Sequence, residues 1–162
     1  MINLSDYKKI HCIGIGGIGL SAIAEILMSR GYEVSGSDMR ESDMTEKLMR
    51  DGADIYLGHR AKNVEGKDLV VYSSAVGADN PELVRAAELG IPAVTRAQAL
   101  GALMDEYDNS IAISGTHGKT TTTSMVSLIL KNAEKKPTIL VGGNLSEING
   151  NVYVGGSDYF VT

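Results

Sequence analysis

The sequence predicts an α/β protein: a mainly parallel sheet with helices on both faces, followed by the opening of a second α/β domain. Three observations carry this. Short apolar runs alternate with segments of helical period. Two glycine-rich loops each follow a strand-like run and open a helix-like one. A polar break, "DEYDN" at Asp105 to Asn109, separates the two loops.

The elements follow in order. Residues 9–15 read as a buried strand, and 18–30 as a helix with Ile23, Ile26 and Leu27 on one face and Gly31 as its stop. Residues 33–36 form a second strand and 44–50 a helix stopped before Gly52. Residues 53–57 make a short strand and 68–73 a clear one. "LVVY" at 69–72 has the continuous apolar character of a parallel strand buried on both faces. Pro81 suits a first helical turn and predicts a helix to Leu89, ended by Gly90. A brief strand at 93–95 and a helix at 97–104 precede the break. Beyond it come a strand at 110–114, a helix from 118 to 132, and strands at 138–141 and 159–162. The expected domains are 1–107, complete, and 108–162, the first part of a second. A chain ending inside a strand points to a longer parent protein.

Composition narrows the function. At 162 residues, 43% hydrophobic and 22% charged, the chain has the make-up of an ordinary globular protein. Its formal net charge of -5, from 15 basic and 20 acidic residues, gives no electrostatic reason to expect nucleic acid or an anionic membrane as partner. Any phosphate site must therefore be local. Cys12 is the single cysteine, which excludes an internal disulfide, and its apolar surroundings predict a buried core residue rather than a reactive thiol. No apolar run reaches the ~20 residues of a membrane span, and no signal peptide is evident. The expected location is the cytoplasm. Oligomeric state is left open by the sequence.

The first glycine loop, Gly14-Ile15-Gly16-Gly17-Ile18-Gly19, fits G-x-G-x-x-G between a strand and a helix. Glycines let the backbone approach a pyrophosphate, and the helix N-terminus supplies N–H groups and the positive end of its dipole. Asp38 stands 19 residues after Gly19, at the end of the second strand, where dinucleotide-binding folds place an acid for the ribose. The pattern alone is weak. It also suits a tight turn with no ligand, and its generic ligand would be NAD. An NAD-binding oxidoreductase or a nucleotide-sensing regulatory domain is accordingly the alternative reading, although it leaves the second loop idle.

That second loop is Gly115-Thr116-His117-Gly118-Lys119-Thr120-Thr121. Consecutive N–H groups there can form an anion nest, Lys119 can reach β- and γ-phosphates, and the Thr120 hydroxyl is placed for Mg²⁺. The first glycine of the full phosphate-loop (P-loop) pattern is replaced by Ile113. A plain helix cap would not explain a lysine in the first turn, where the dipole disfavours cations. His117 either contacts phosphate or shapes the loop. His11 reads as structural, whereas His59 follows Gly58 near the carboxyl ends of the strands, where ligands bind in open α/β sheets.

Together these loops make the chain resemble the Mur ligases, ATP-dependent enzymes that join an amino acid to a UDP-sugar acid. The resemblance runs the whole length. It rests on "IGIGGIGLSAIAEIL" at Ile13 to Leu27, "GYEVSGSD" at Gly31 to Asp38, "YSSAV" at Tyr72 to Val76, "NPE" at Asn80 to Glu82, "SGTHGKTTTTS" at Ser114 to Ser124 and "VGGN" at Val141 to Asn144. Leu20 and Ala22 stand where relatives often carry Met and Gly. The resemblance implies that the first domain is Rossmann-like but binds the UDP part of UDP-N-acetylmuramic acid, not NAD, and that the second is a P-loop ATP-binding domain. Gly16, Gly17, Ile18 and Gly19 would hold the pyrophosphate, and Ser37 and Asp38 would lie near the uridine. His59, Ser73, Ser74 and Arg96 would be further contacts. In the second domain the loop from Gly115 to Thr121 would bind ATP, with Lys119 stabilising the transferring γ-phosphoryl group and Thr120 holding Mg²⁺. The implied reaction activates the muramate carboxylate as an acyl phosphate, which the amine of L-alanine then attacks. A related ligase attaching a tripeptide is a neighbouring reading. The family's acidic Mg²⁺ motif follows the strand that 159–162 matches, so these 162 residues are expected to lack ligase activity by themselves.

Overall fold

The structure, a computed structural model, describes residues 2–162. The chain divides into two compact units, Met1–Ala102 and Leu103–Thr162.

The first unit is built on a five-stranded, wholly parallel sheet. Its strands are β1 (Lys9–Ile13), β2 (Glu33–Asp38), β3 (Asp54–Leu57), β4 (Leu69–Tyr72) and β5 (Ala93–Thr95). The central strands are apolar because both faces are covered: Ile10, Cys12 and Ile13 of β1 and Leu69, Val70 and Val71 of β4 are fully buried. Burial pushes the Cys12 thiol up to about 12, so it behaves as a small core residue.

Helix α1 (Ile18–Ser29) follows β1 and buries Leu20, Ala22, Ile23, Ala24, Ile26 and Leu27. Gly31, at φ +90°, ends it. Helix α2 (Asp43–Arg50) starts on a capping box: the Ser42 hydroxyl accepts from Thr45 N–H, and Thr45 Oγ1 accepts from Ser42 N–H. Helix α3 (Pro81–Glu88) has Asn80 as N-cap, its side chain accepting from Glu82 N–H, and Pro81 in the first turn. Ala86 of α3 packs with Ile13, Val64 and Val70 in one apolar cluster. Helix α4 (Arg96–Met104) follows β5 directly.

The sheet order is β3-β2-β1-β4-β5. The winding therefore reverses between β1 and β4, and the loops after these strands diverge to leave a crevice at their carboxyl ends.

The second unit holds β6 (Asn109–Ile111), α5 (Lys119–Asn132), β7 (Thr138–Leu145), β8 (Gly150–Tyr153) and β9 (Tyr159–Val161), with sheet order β6-β9-β7-β8. Pairings β6–β9 and β9–β7 are parallel, whereas β7–β8 is antiparallel. The sequence reading lacked β8 and ended β7 at 141. Strand β7 runs on through Gly142 and Gly143, and its register with β8 shifts between Leu140 and Leu145. Ile139, Val141 and Ile148 form the local core, and Tyr107 packs on Phe160 with ring centroids 5.0 Å apart.

Candidate functional site

The crevice of the first unit encloses about 530 Å³. One side is the β1–α1 loop, with Gly14, Gly16 and Gly17. The other is the segment after β4, with Ser73, Ala75, Val76, Gly77 and Asn80. Asp38, Met39 and His59 complete it.

The glycine loop is held from below by β2: Gly14 N–H and Ile15 N–H both donate to Ser37 O, at 2.8 and 3.1 Å. Gly16 N–H donates to Asp38 Oδ2 at 2.8 Å. A methyl group built on Gly16 would lie 2.9 Å from that same oxygen, so only glycine lets the loop sit this close to the acid. Gly17 caps α1 with extended backbone and no side chain, which leaves the helix start accessible to a ligand. The guanidinium of Arg96 rests against this first turn, since a methyl group on Gly19 would be 3.3 Å from its Cδ and Nη1. A cation beside the positive end of a helix is unfavourable by itself, and an anion between the two reverses the sign.

Asp38 also borders a second cleft of about 230 Å³, lined among others by Thr45, Met49, Tyr56 and Leu57. The two clefts share Asp38 as a wall.

The expected site residues are placed unevenly. Gly16, Gly17, Asp38, His59 and Ser73 line the crevice. Ile18 and Gly19 form the helix start. Ser74 and Arg96 are exposed, Ser74 beside Ser73 in the same loop. Ser37 is completely buried and spends its hydroxyl inside the protein, donating to Glu82 Oε2 at 2.6 Å. Glu82 is the residue that the sequence reading missed. It is fully buried and takes bonds from Ser37, from Asn63 Nδ2 at 2.6 Å and from His59 Nδ1 at 3.1 Å. His11 Nε2 lies 3.4 Å from Glu82 Oε1, a close polar contact outside hydrogen-bond geometry. Burial works to raise the Glu82 carboxyl, but the close approach of His11 and the bonds from Ser37 and Asn63 prevail and hold it below the ordinary glutamate value.

In the second unit the loop from Gly115 to Thr121 is exposed throughout. Gly118 is the N-cap of α5 in left-handed backbone (φ +77°), a conformation that glycine adopts without strain. The Lys119 ammonium folds back over the loop and donates to the carbonyl oxygens of Gly115 and Thr116. It thus stays over the loop, although the residue is exposed. Ile113 N–H donates to Thr162 O at 2.7 Å, so the position where the common pattern has glycine still belongs to the extended backbone beside β9. Gly142 and Gly143 run past Thr120: methyl groups there would approach its side chain to 3.8 and 3.6 Å. Thr120 offers one hydroxyl to a metal. Among the described residues no cluster of three or more His, Cys, Asp or Glu could hold one. This donor set fits Mg²⁺ held largely by water and phosphate oxygens.

The sequence pattern of the Mur ligase family, catalytic domain, matches residues 9–108. The chain belongs to the Mur ligase family. It is 57% identical over 155 residues to a UDP-N-acetylmuramate–L-alanine ligase of Alkaliphilus metalliredigens, and 59% identical over 155 residues to one of Clostridium acetobutylicum. Each match covers 96% of this chain and 34% of the relative, so the chain spans about a third of these curated Mur ligases. Among solved structures it resembles a UDP-N-acetylmuramate–alanine ligase from Thermotoga maritima, with TM-score 0.85, 41% identity, and coverage of 94% of this chain and 36% of that one. It also resembles a UDP-N-acetylmuramate:L-alanyl-γ-D-glutamyl-meso-diaminopimelate ligase from Neisseria, with TM-score 0.82, 29% identity, and coverage of 95% and 51%.

Proposed function

We propose that these residues are the substrate-recognition part of an ATP-dependent ligase that adds L-alanine to UDP-N-acetylmuramic acid in peptidoglycan synthesis. The observation that carries this is the pairing of two different anion sites in a Mur ligase chain: a switch-point crevice with Arg96 at a helix start, and a phosphate loop with Lys119. Identity of 57–59% to alanine-adding ligases, against 29% to a tripeptide-adding one, favours alanine.

In this reading the first domain, 1–107, holds the UDP-sugar. The start of α1 and Arg96 take the pyrophosphate, with Asp38 toward the ribose and His59 and the loop at Ser73 and Ser74 closing over the ligand. The second domain begins at 108, and its loop from Gly115 to Thr121 takes ATP. Lys119 neutralises charge on the transferring phosphoryl group, and Thr120 holds Mg²⁺. The ion, when bound, supplies further charge neutralisation between phosphate oxygens. Phosphorylation gives the muramate carboxylate a leaving group, and catalysis is positioning together with charge stabilisation. With about a third of the relatives' length, the 162 residues are expected to bind but not to form the amide. The described residues contain no helix long and apolar enough to cross a membrane, and the proposed place of action is the cytoplasm.

The test is calorimetric titration of the chain with UDP-N-acetylmuramic acid, with NAD in parallel. Binding of the UDP-sugar alone is expected, and Arg96→Ala should weaken it by roughly 1.5–3 kcal/mol, the worth of a charged hydrogen bond. Binding of NAD alone overturns the reading.

A further inference from the structure

A fully buried carboxylate is rare unless its partners require it. Glu82 is one, and its bonds dictate a proton arrangement. The single hydroxyl proton of Ser37 goes to Glu82 Oε2. The contact of 2.9 Å between Ser37 Oγ and His59 Nδ1 therefore needs its proton on Nδ1, as does the contact of 3.1 Å from Nδ1 to Glu82 Oε2. Asn63 ties the other carboxylate oxygen to the turn carrying His59, since its Nδ2 also donates to Gly58 O at 3.3 Å. His59 lines the crevice with its Nδ1 bonded inward to Ser37 and Glu82, which leaves the opposite edge of the ring, the one that carries Nε2, as the part available to a ligand. A ring with its proton fixed on Nδ1 presents a lone pair at Nε2.

We infer that Glu82 is a positioning residue. Through the shared bonds of Ser37 and His59 it fixes the His59 tautomer, so that Nε2 accepts a hydrogen bond from a hydroxyl of the crevice ligand. This deepens the UDP-sugar reading and rests on it for the identity of the ligand. It divides the recognition labour: Arg96 and the helix start take the anionic part, and His59 takes a neutral hydroxyl. The same logic explains why a charged group sits under the sheet's carboxyl end. A neutral amide at position 82 could donate to Nδ1 and release the opposite tautomer.

Nitrogen-15 NMR of the imidazole rings in the 162-residue chain at neutral pH tests this, with His59→Gln identifying the His59 signals. The expected spectrum has Nδ1 protonated and Nε2 bare, and Nε2 stays bare but shifts when UDP-N-acetylmuramic acid is added. In calorimetry, Glu82→Gln should weaken binding of that ligand about tenfold, the worth of one well-made hydrogen bond. In a His59→Gln background it should cost nothing further. An equal loss in both backgrounds would mean a merely structural role and overturns the inference. So does a His59 ring protonated on Nε2, whether alone or together with Nδ1. The ring spectrum of the unaltered chain decides the matter if Glu82→Gln does not fold. It also does so if the UDP-sugar fails to bind, an outcome that sinks the functional reading separately.

Discussion

Glu82 occupies the first turn of α3, where an acidic side chain ordinarily faces water and complements the helix dipole. Nothing in "NPE" distinguishes it from such a residue; what buries it is the arrival of β1, β2 and the turn at Asn63. The site glycines, by contrast, were readable, because a loop between strand and helix needs them locally. Ser37 was placed near the ligand by resemblance, and the fold turns it inward to Glu82. Glu82 also sets a pH dependence. Its carboxyl is held below the ordinary value, so its contribution to stability is complete above the unfolded range near ~4.3 and is lost as pH falls through the lowered folded value. Urea unfolding at pH 7, 5 and 3 should show the natural chain losing more stability on acidification than Glu82→Gln. Parallel losses would mean that the carboxyl titrates normally.

Among the elements, β1 and β4 were legible because strands covered on both faces must be continuously apolar. Strand β8 was not, because "GNVY" in a hairpin edge has no such obligation, and Gly142-Gly143 reads as a turn although β7 continues through it. The end of α5 carries a cost that sequence periodicity does not reveal. Glu134 N–H donates to Lys131 O, Lys135 N–H donates to Leu130 O, and Glu134 has φ 59°. This is the left-handed helix stop that glycine normally fills. Glu134→Gly should stabilise the chain by roughly 0.5–1 kcal/mol, as a part of the αL penalty is relieved against glycine's greater unfolded freedom. Thermal unfolding would check this, and a lowered midpoint would show that the Glu134 side chain compensates.

At the scale of the whole molecule, each unit has its own sheet, its own core and its own glycine loop after a strand. Ligand effects should respect that division. Hydrogen exchange with UDP-N-acetylmuramic acid should slow at residues 14–19, 58–60 and 73–77, and exchange with ATP and Mg²⁺ at 115–121 and 142–144. Protection by ATP at the first set instead would assign the crevice to the nucleotide and contradict the proposed roles.

Cys12 stands in the innermost strand of the five, completely buried, and it is the only thiol in the chain. The sheet therefore contains its own clock. While the layers stay closed, no thiol-directed reagent finds a partner, and each capture event records one excursion in which the helices have lifted off β1. With a reagent that reacts faster than the layers reclose, the kinetics of a single chemical modification thus read out how often the heart of the molecule breathes, with no label built into the chain.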